Sequence, residues 1–176
     1  DWQKKISEWA IRRGRAAIFA GTGLGKSYLQ CAWAAQMGKR ILIVCPLAVA
    51  QQTINLAKNI NVEVQWCAEP QDKDGIWIIN YQKLHKFCGV PYDGIVCDES
   101  SVVKSLDGKT KDLLIEEFTH IPYRLCCTAT PAPNDIAELG NHAAFLGIMS
   151  YVEMLATFFV HDSSGSKSLG GWRLKG

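Results

Sequence analysis

The chain has 176 residues, 48% hydrophobic and 20% charged, with a formal net charge of +2. This is the composition of a globular protein rather than a disordered one, and a chain this long buries roughly two-thirds of its unfolded surface in a single core. The near-neutral balance excludes a histone-like basic binder, so any contact with nucleic acid has to come from a local patch.

Apolar positions at Trp2, Ile6, Trp9 and Ala10 form a helical stripe, predicting a helix over 2–13 that Arg12-Arg13-Gly14 brings to an end. The run Ala16–Phe19 predicts a short buried strand. It breaks into Ala20-Gly21-Thr22-Gly23-Leu24-Gly25-Lys26-Ser27, a glycine-rich loop that leads into a helix. Strand, glycine loop and helix in this order make a phosphate cradle: backbone N–H groups turn inward around the anion and the helix N-terminus adds its positive end. In such a cradle Lys26 reaches the β- and γ-phosphates and the Ser27 hydroxyl takes a Mg²⁺ ligand position. The helix is expected from about Lys26 to Met37, with Gly38 as its stop.

An apolar strand is expected over 41–45 and a helix over about 48–59. Shorter strands follow near 62–66 and 76–79, with a short helix over Tyr81–Phe87. The apolar run at 94–97 ends in Asp98-Glu99. At the carboxyl edge of a buried strand, Asp98 is placed to hold Mg²⁺ and Glu99 to act as the base that orients water. A helix is expected over about 109–118, then a strand over 123–128 running into Thr128-Ala129-Thr130-Pro131, where Pro131 stops the ladder. Hydroxyls at such an edge can sense the γ-phosphate and pass that information on. Residues 134–146 and 151–160 read as helices, 163–171 as a flexible Gly/Ser-rich segment, and Trp172–Gly176 as the start of something further.

Continuously apolar strands alternating with helices predict an α/β fold of three layers, with a mainly parallel central sheet covered on both faces. Ligands of such sheets bind beyond the carboxyl ends of the strands, where all three candidate motifs fall. The seven cysteines, at 31, 45, 67, 88, 97, 126 and 127, lack metal-type spacing and read as reduced core thiols. The four histidines are scattered and carry no pattern. No apolar run approaches the ~20 residues of a membrane span.

In this order the motifs resemble those of the first RecA-like motor domain of superfamily-two helicases and translocases, P-loop NTPases. The likeness is greatest to Swi/Snf-type ATPases and to phage and prophage DEAD/DEAH-box helicases. Gly-Leu-Gly-Lys-Ser (23–27) resembles motif I, Asp-Glu-Ser-Ser (98–101) motif II, and Thr-Ala-Thr-Pro-Ala-Pro-Asn (128–134) motif III. Leu42–Leu47 resembles motif Ia and Ile78–Tyr81 motif Ib, while Trp2-Gln3 stands where this group carries an adenine-reading glutamine. Ala20 and Ser100-Ser101 depart from the commoner pattern.

The resemblance implies an ATP-dependent, nucleic-acid-stimulated hydrolase with ATP and Mg²⁺ as cofactors. Gln3 and Gly21, Thr22, Gly23, Leu24, Gly25, Lys26 and Ser27 would hold ATP; Ser27 and Asp98 would hold the metal. Glu99 and Lys26 would be catalytic, and Thr128 and Thr130 would couple nucleotide state to the gripping surface. Pro46, Leu47, Asn80 and Tyr81 would touch nucleic acid, double-stranded DNA by the likeness of motifs II and III, with Lys104 and Lys109 as further phosphate contacts. It further implies a motor domain over 1–150 and, over 151–176, a helix and linker toward a second RecA-like lobe, in the cytoplasm of a bacterial or phage-infected cell. That lobe would supply the arginine finger, because Arg12, Arg13 and Arg15 lie too close to the nucleotide strand, so this chain alone would bind ATP and turn it over very slowly. Two alternatives stay open: a nucleotide-gated binding module for a nuclease or other partner, and a small-molecule P-loop kinase. Strand order separates the last, since a motor places the Thr128 strand between the phosphate-loop strand and the Asp98 strand.

Overall fold

The computed structural model describes residues 2–100, 108–132, 136–161 and 172–175, with the side chains of 108–111 left out. Ser101, Lys104, Pro133, Asn134 and the segment 163–171 lie outside the described residues, as does the side chain of Lys109.

Six strands form one sheet: β1 (Arg15–Phe19), β2 (Arg40–Cys45), β3 (Val64–Trp66), β4 (Gly75–Asn80), β5 (Gly94–Asp98) and β6 (Tyr123–Thr128). Their spatial order is β1-β6-β5-β2-β4-β3, and every pairing is parallel. The Thr128 strand therefore lies between the phosphate-loop strand and the Asp98 strand, the order expected of a motor domain.

The pleat sends alternate residues of each strand to opposite faces, and each face has its own core. On one, Ile41, Ile43, Ile78, Val96 and Leu125 pack with Ala10 of α1 (Trp2–Arg13), with Leu29, Cys31, Trp33 and Ala34 of α2 (Lys26–Ala34), and with Ala50 and Ala57 of α3 (Leu47–Lys58). On the other, Leu42, Val44, Trp77, Ile79 and Ile95 pack with Leu84 and Phe87 of a 3-10 helix (Tyr81–Phe87). This face is completed by Leu114 and Phe118 of α4 (Gly108–Phe118) and Phe145 and Leu146 of α5 (Leu139–Leu146). At about 1.5–3 kcal/mol per fully buried large aliphatic or aromatic side chain, these two cores hold the sheet rigid beneath the strand ends.

The short helix expected over 81–87 is a 3-10 helix, started by Asn80, whose Oδ1 accepts from the Lys83 N–H at 3.1 Å. Local structure departs from the sequence pattern in three places. Helix α2 stops at Ala34 rather than Met37. The described part of 134–146 is a 3-10 turn over Ile136–Glu138 followed by α5. Helix α6 (Tyr151–Phe158), which opens on a Ser150–Glu153 capping box, ends two residues earlier than periodicity suggests. There Phe159–His161 becomes β7 and pairs antiparallel with β8 (Trp172–Leu174). The bulky run Phe159-Val160 suits a strand, and Phe159 packs with Ala137 and Met154 in a third, smaller cluster.

All seven cysteines are free, and all but Cys88 are buried. Arg124, near the start of β6, is buried and donates from Nη1 to the Phe145 carbonyl at 2.7 Å, a cation placed at the negative end of α5. Burial and then the neighbouring Arg15 lower its pKa to about 10. No helix among the described residues is long and apolar enough to cross a membrane.

Candidate functional site

Because all six strands run the same way, their carboxyl ends share one edge of the sheet. Register aligns that edge: Phe19 lies beside Thr128, Asp98 beside Cys127, and Cys45 beside Asn80.

The loop leaving β1 carries left-handed glycines at Gly23 and Gly25, both at φ 79°. A side chain at Gly25 would be strained by this backbone and would also meet Gln3, its Cβ falling 2.5 Å from Nε2. Gln3, on the first turn of α1, donates that Nε2–H to the Leu24 carbonyl at 3.3 Å, tying the helix to the loop. Residues 21–24 are exposed, Gly25, Lys26 and Ser27 half-buried, and no acidic side chain occupies the first turn of α2. That helix end therefore keeps its positive character. Lys26 donates from Nζ to the carbonyls of Ala20 at 2.9 Å and Gly21 at 3.1 Å, so its ammonium sits at the loop mouth on bonds that an anion could replace.

Across from the loop, Asp98 ends β5 with 7% of its surface exposed. Burial raises its pKa above the ordinary carboxylate value, against the opposing effects of Gln30 and the Glu99 N–H. The Glu99 N–H donates to Asp98 Oδ1 at 3.0 Å, whereas the buried Gln30 amide approaches the carboxylate without reaching hydrogen-bond geometry. A buried carboxylate so sparsely compensated fits a cation, which would reverse the cost of its burial.

Glu99 follows at φ 49°, a left-handed conformation unusual for a non-glycine residue. The turn re-aims its carboxylate, whose Oε1 accepts from Thr128 Oγ1 at 2.8 Å; the Thr130 N–H in turn donates to Thr128 Oγ1 at 3.1 Å. The acidic pair and the threonine strand end are thus one hydrogen-bonded unit. Tyr81 reaches it from below, donating its hydroxyl to the Asp98 carbonyl at 2.8 Å.

Tyr81 is 2% exposed, and Asn80 is buried with its side chain capping the 3-10 helix. Their polar groups do structural work: one braces the acidic strand end, the other starts a helix. Pro46 and Leu47, at the start of α3, are at the surface, Leu47 with 61% exposure.

A cavity of about 620 Å³ opens between α1 and α2, with Gln3, Ser7 and Ile11 on one wall and Tyr28, Leu29 and Ala32 on the other. It adjoins the glycine loop through Gln3 and Tyr28, and its size suits a small ligand. Two contributors carry no sequence signal of their own. Gln30 is one buried polar residue in the middle of a helix, and His142 is one of four scattered histidines.

No protein-family model and no curated protein sequence matches the chain. Solved structures do. The UvsW helicase from bacteriophage T4 superposes with a TM-score of 0.60 at 15% identity, over 85% of this chain and 58% of that one. A hypothetical ATP-dependent RNA helicase from Sulfolobus tokodaii gives 0.59 at 15%, over 73% of this chain and 45% of that. A nuclease-deletion mutant of the Type ISP restriction-modification enzyme LlaGI, in complex with a DNA substrate mimic, gives 0.51 at 16%, over 74% and 17%. This chain therefore covers less than two-thirds of each of these proteins. At such identities the likeness is one of fold alone, the RecA-like α/β fold.

Proposed function

We propose that the chain is the ATP-binding motor domain of a nucleic-acid-dependent ATPase, a DNA helicase or translocase of the Swi/Snf-like or phage type that works with a second RecA-like lobe. The reading rests most on one observation: β6 lies between β1 and β5, which brings Thr128 and Glu99 into one hydrogen-bonded unit beside the phosphate loop. A small-molecule kinase, with its acidic strand next to the phosphate-loop strand, does not account for that order.

Mg²⁺·ATP would supply the scissile γ-phosphoryl group and a metal that neutralises its charge. The amides of Gly21–Gly25 would wrap the phosphates, and Lys26 would exchange the Ala20 and Gly21 carbonyls for phosphate oxygens. Ser27 and Asp98 would hold the metal. Glu99, its carboxylate oriented by Thr128, would align water and take its proton. Gln3 would read the adenine edge at the end of the cavity between α1 and α2. Pro46 and Leu47 would contribute to the nucleic-acid face, with double-stranded DNA as the favoured substrate.

The test measures ATP binding and turnover with Mg²⁺, with and without duplex DNA, for this chain and for a longer form carrying a second lobe. Binding without appreciable turnover by the chain, together with DNA-stimulated turnover by the longer form, is expected. Rapid DNA-independent phosphate transfer by the chain alone would refute the split-motor reading.

A further inference from the structure

His142 lies on α5, away from the phosphate loop in sequence, yet it touches both sides of the site. The residue is 7% exposed, and its Nε2 lies 3.2 Å from the Pro131 carbonyl oxygen. A carbonyl only accepts, so Nε2 carries the hydrogen in this contact. Burial favours the neutral ring. The same ring meets Phe19 edge-on, with centroids 5.3 Å apart and planes at 64°.

Each contact leads into the nucleotide site. Phe19 is the last residue of β1; the next residue, Ala20, donates its N–H to the Thr128 carbonyl at 3.1 Å and accepts from Lys26 Nζ. Pro131 closes the turn in which the Thr130 N–H holds Thr128 Oγ1, which holds Glu99. One imidazole therefore fixes the exit from β6 relative to the exit from β1. An apolar side chain could fill the space against Phe19, but it could not hold the Pro131 carbonyl, because that bond is directional.

We propose that His142 is a positioning residue for the triphosphate: by holding the Thr128–Pro131 turn it sets the Glu99 carboxylate where a γ-phosphate would lie. This rests on the ATP reading above. An ADP molecule ends short of the Thr128–Glu99 unit, so loss of the His142 bond should weaken ATP selectively. A purely structural role would weaken both nucleotides alike.

The experiment measures Mg²⁺-dependent binding of a non-hydrolysable fluorescent ATP analogue and of the matching ADP by this chain. In H142A, affinity for the ATP analogue should fall roughly five- to tenfold, the span of one directional hydrogen bond, while that for ADP stays within about twofold. H142F keeps a ring against Phe19 but lacks the donor; it tests the same point should the smaller side chain fail to fold, and it should behave as H142A. H142Q carries a donor that can reach the carbonyl, and it should recover most of the lost discrimination. Equal losses for both nucleotides, no loss in H142F, or no recovery in H142Q would each overturn the proposal. If the unsubstituted chain binds neither nucleotide, the ATP reading itself fails and the proposal falls with it. That result is read on the wild type and so is distinct from the other three.

Discussion

Replacing Asp98 with Asn should make the protein more stable and at the same time remove the Mg²⁺-dependent ATP binding proposed for it. The carboxylate is buried, and it accepts one backbone hydrogen bond, from Glu99, while the Gln30 amide stays short of bonding. The effective cost of burying such an ion is several kcal/mol. One hydrogen bond to a charged acceptor returns about 1.5–3 kcal/mol, leaving a net penalty on the order of 1–2 kcal/mol. Asparagine keeps the shape and the Oδ1 acceptor for the Glu99 N–H but carries no charge, so most of that penalty should disappear. For a chain of this size, about 2–4 °C per kcal/mol makes the expected rise in Tm roughly 2–8 °C.

The pH dependence gives the sharper check. Burial raises the folded pKa of Asp98 above its unfolded value near 3.8, so between the two values the folded state binds more protons. Its stability contribution therefore declines as pH rises through that window, and the full penalty applies above it. The advantage of D98N should be complete at neutral pH, should shrink as pH falls through that window, and should be gone below the unfolded value, where the wild-type carboxyl is protonated in both states. Thermal melts followed by circular dichroism at several pH values measure this, and titration with Mg²⁺·ATP should stabilise the wild type alone. A D98N protein less stable than wild type at pH 7, or an advantage independent of pH, would refute the reasoning.

Three further outcomes follow from the same geometry. Gly25→Ala should destabilise the protein by about 2–3 kcal/mol, from left-handed strain and loss of the Gln3–Leu24 bond, as read from denaturant midpoints. Lys26→Ala should lower Tm by less than about 2 °C, since its bonds go to loop carbonyls that water can serve, yet should weaken Mg²⁺·ATP binding by at least about tenfold in calorimetry. Arg124→Ala should cost about 3 kcal/mol in urea unfolding, because it strips the Phe145 carbonyl at the end of α5 of its donor and leaves a void where a buried side chain stood.

Much of this fold was legible because the strands are buried on both faces. Residues 41–45 and 94–97 read as unbroken apolar runs, as expected of strands in a sheet covered on both sides. The glycine loop after β1 was legible for a different reason: glycine at Gly23 and Gly25 answers a backbone demand that few other residues meet. What remained hidden was mostly tertiary. The pairing of Phe159–His161 with Trp172–Leu174 depends on a partner strand outside the helical window, and local helical periodicity ran over it. The bond that Tyr81 makes inside the fold also gave no sequence signal, because its partner is a carbonyl on another strand. His142 gave no signal, since a lone histidine in a helix means something only once its two neighbours, Pro131 and Phe19, are known.

These hidden contacts share a physical role. Asp98 is buried with little compensation, and Glu99 is held in left-handed backbone, so the acidic strand end is the least comfortable part of the sheet. Strained or under-solvated groups persist only where their surroundings over-determine them. Here the surroundings are the Tyr81 hydroxyl on the Asp98 carbonyl, the Thr128 hydroxyl on Glu99, and the His142 ring on the turn that carries Thr128. Each tether comes from a different element, and none of the three residues need touch a ligand to matter. Removing a tether should therefore let the acidic pair relax toward solvent, gaining local comfort while losing the geometry that a metal and a γ-phosphate would require.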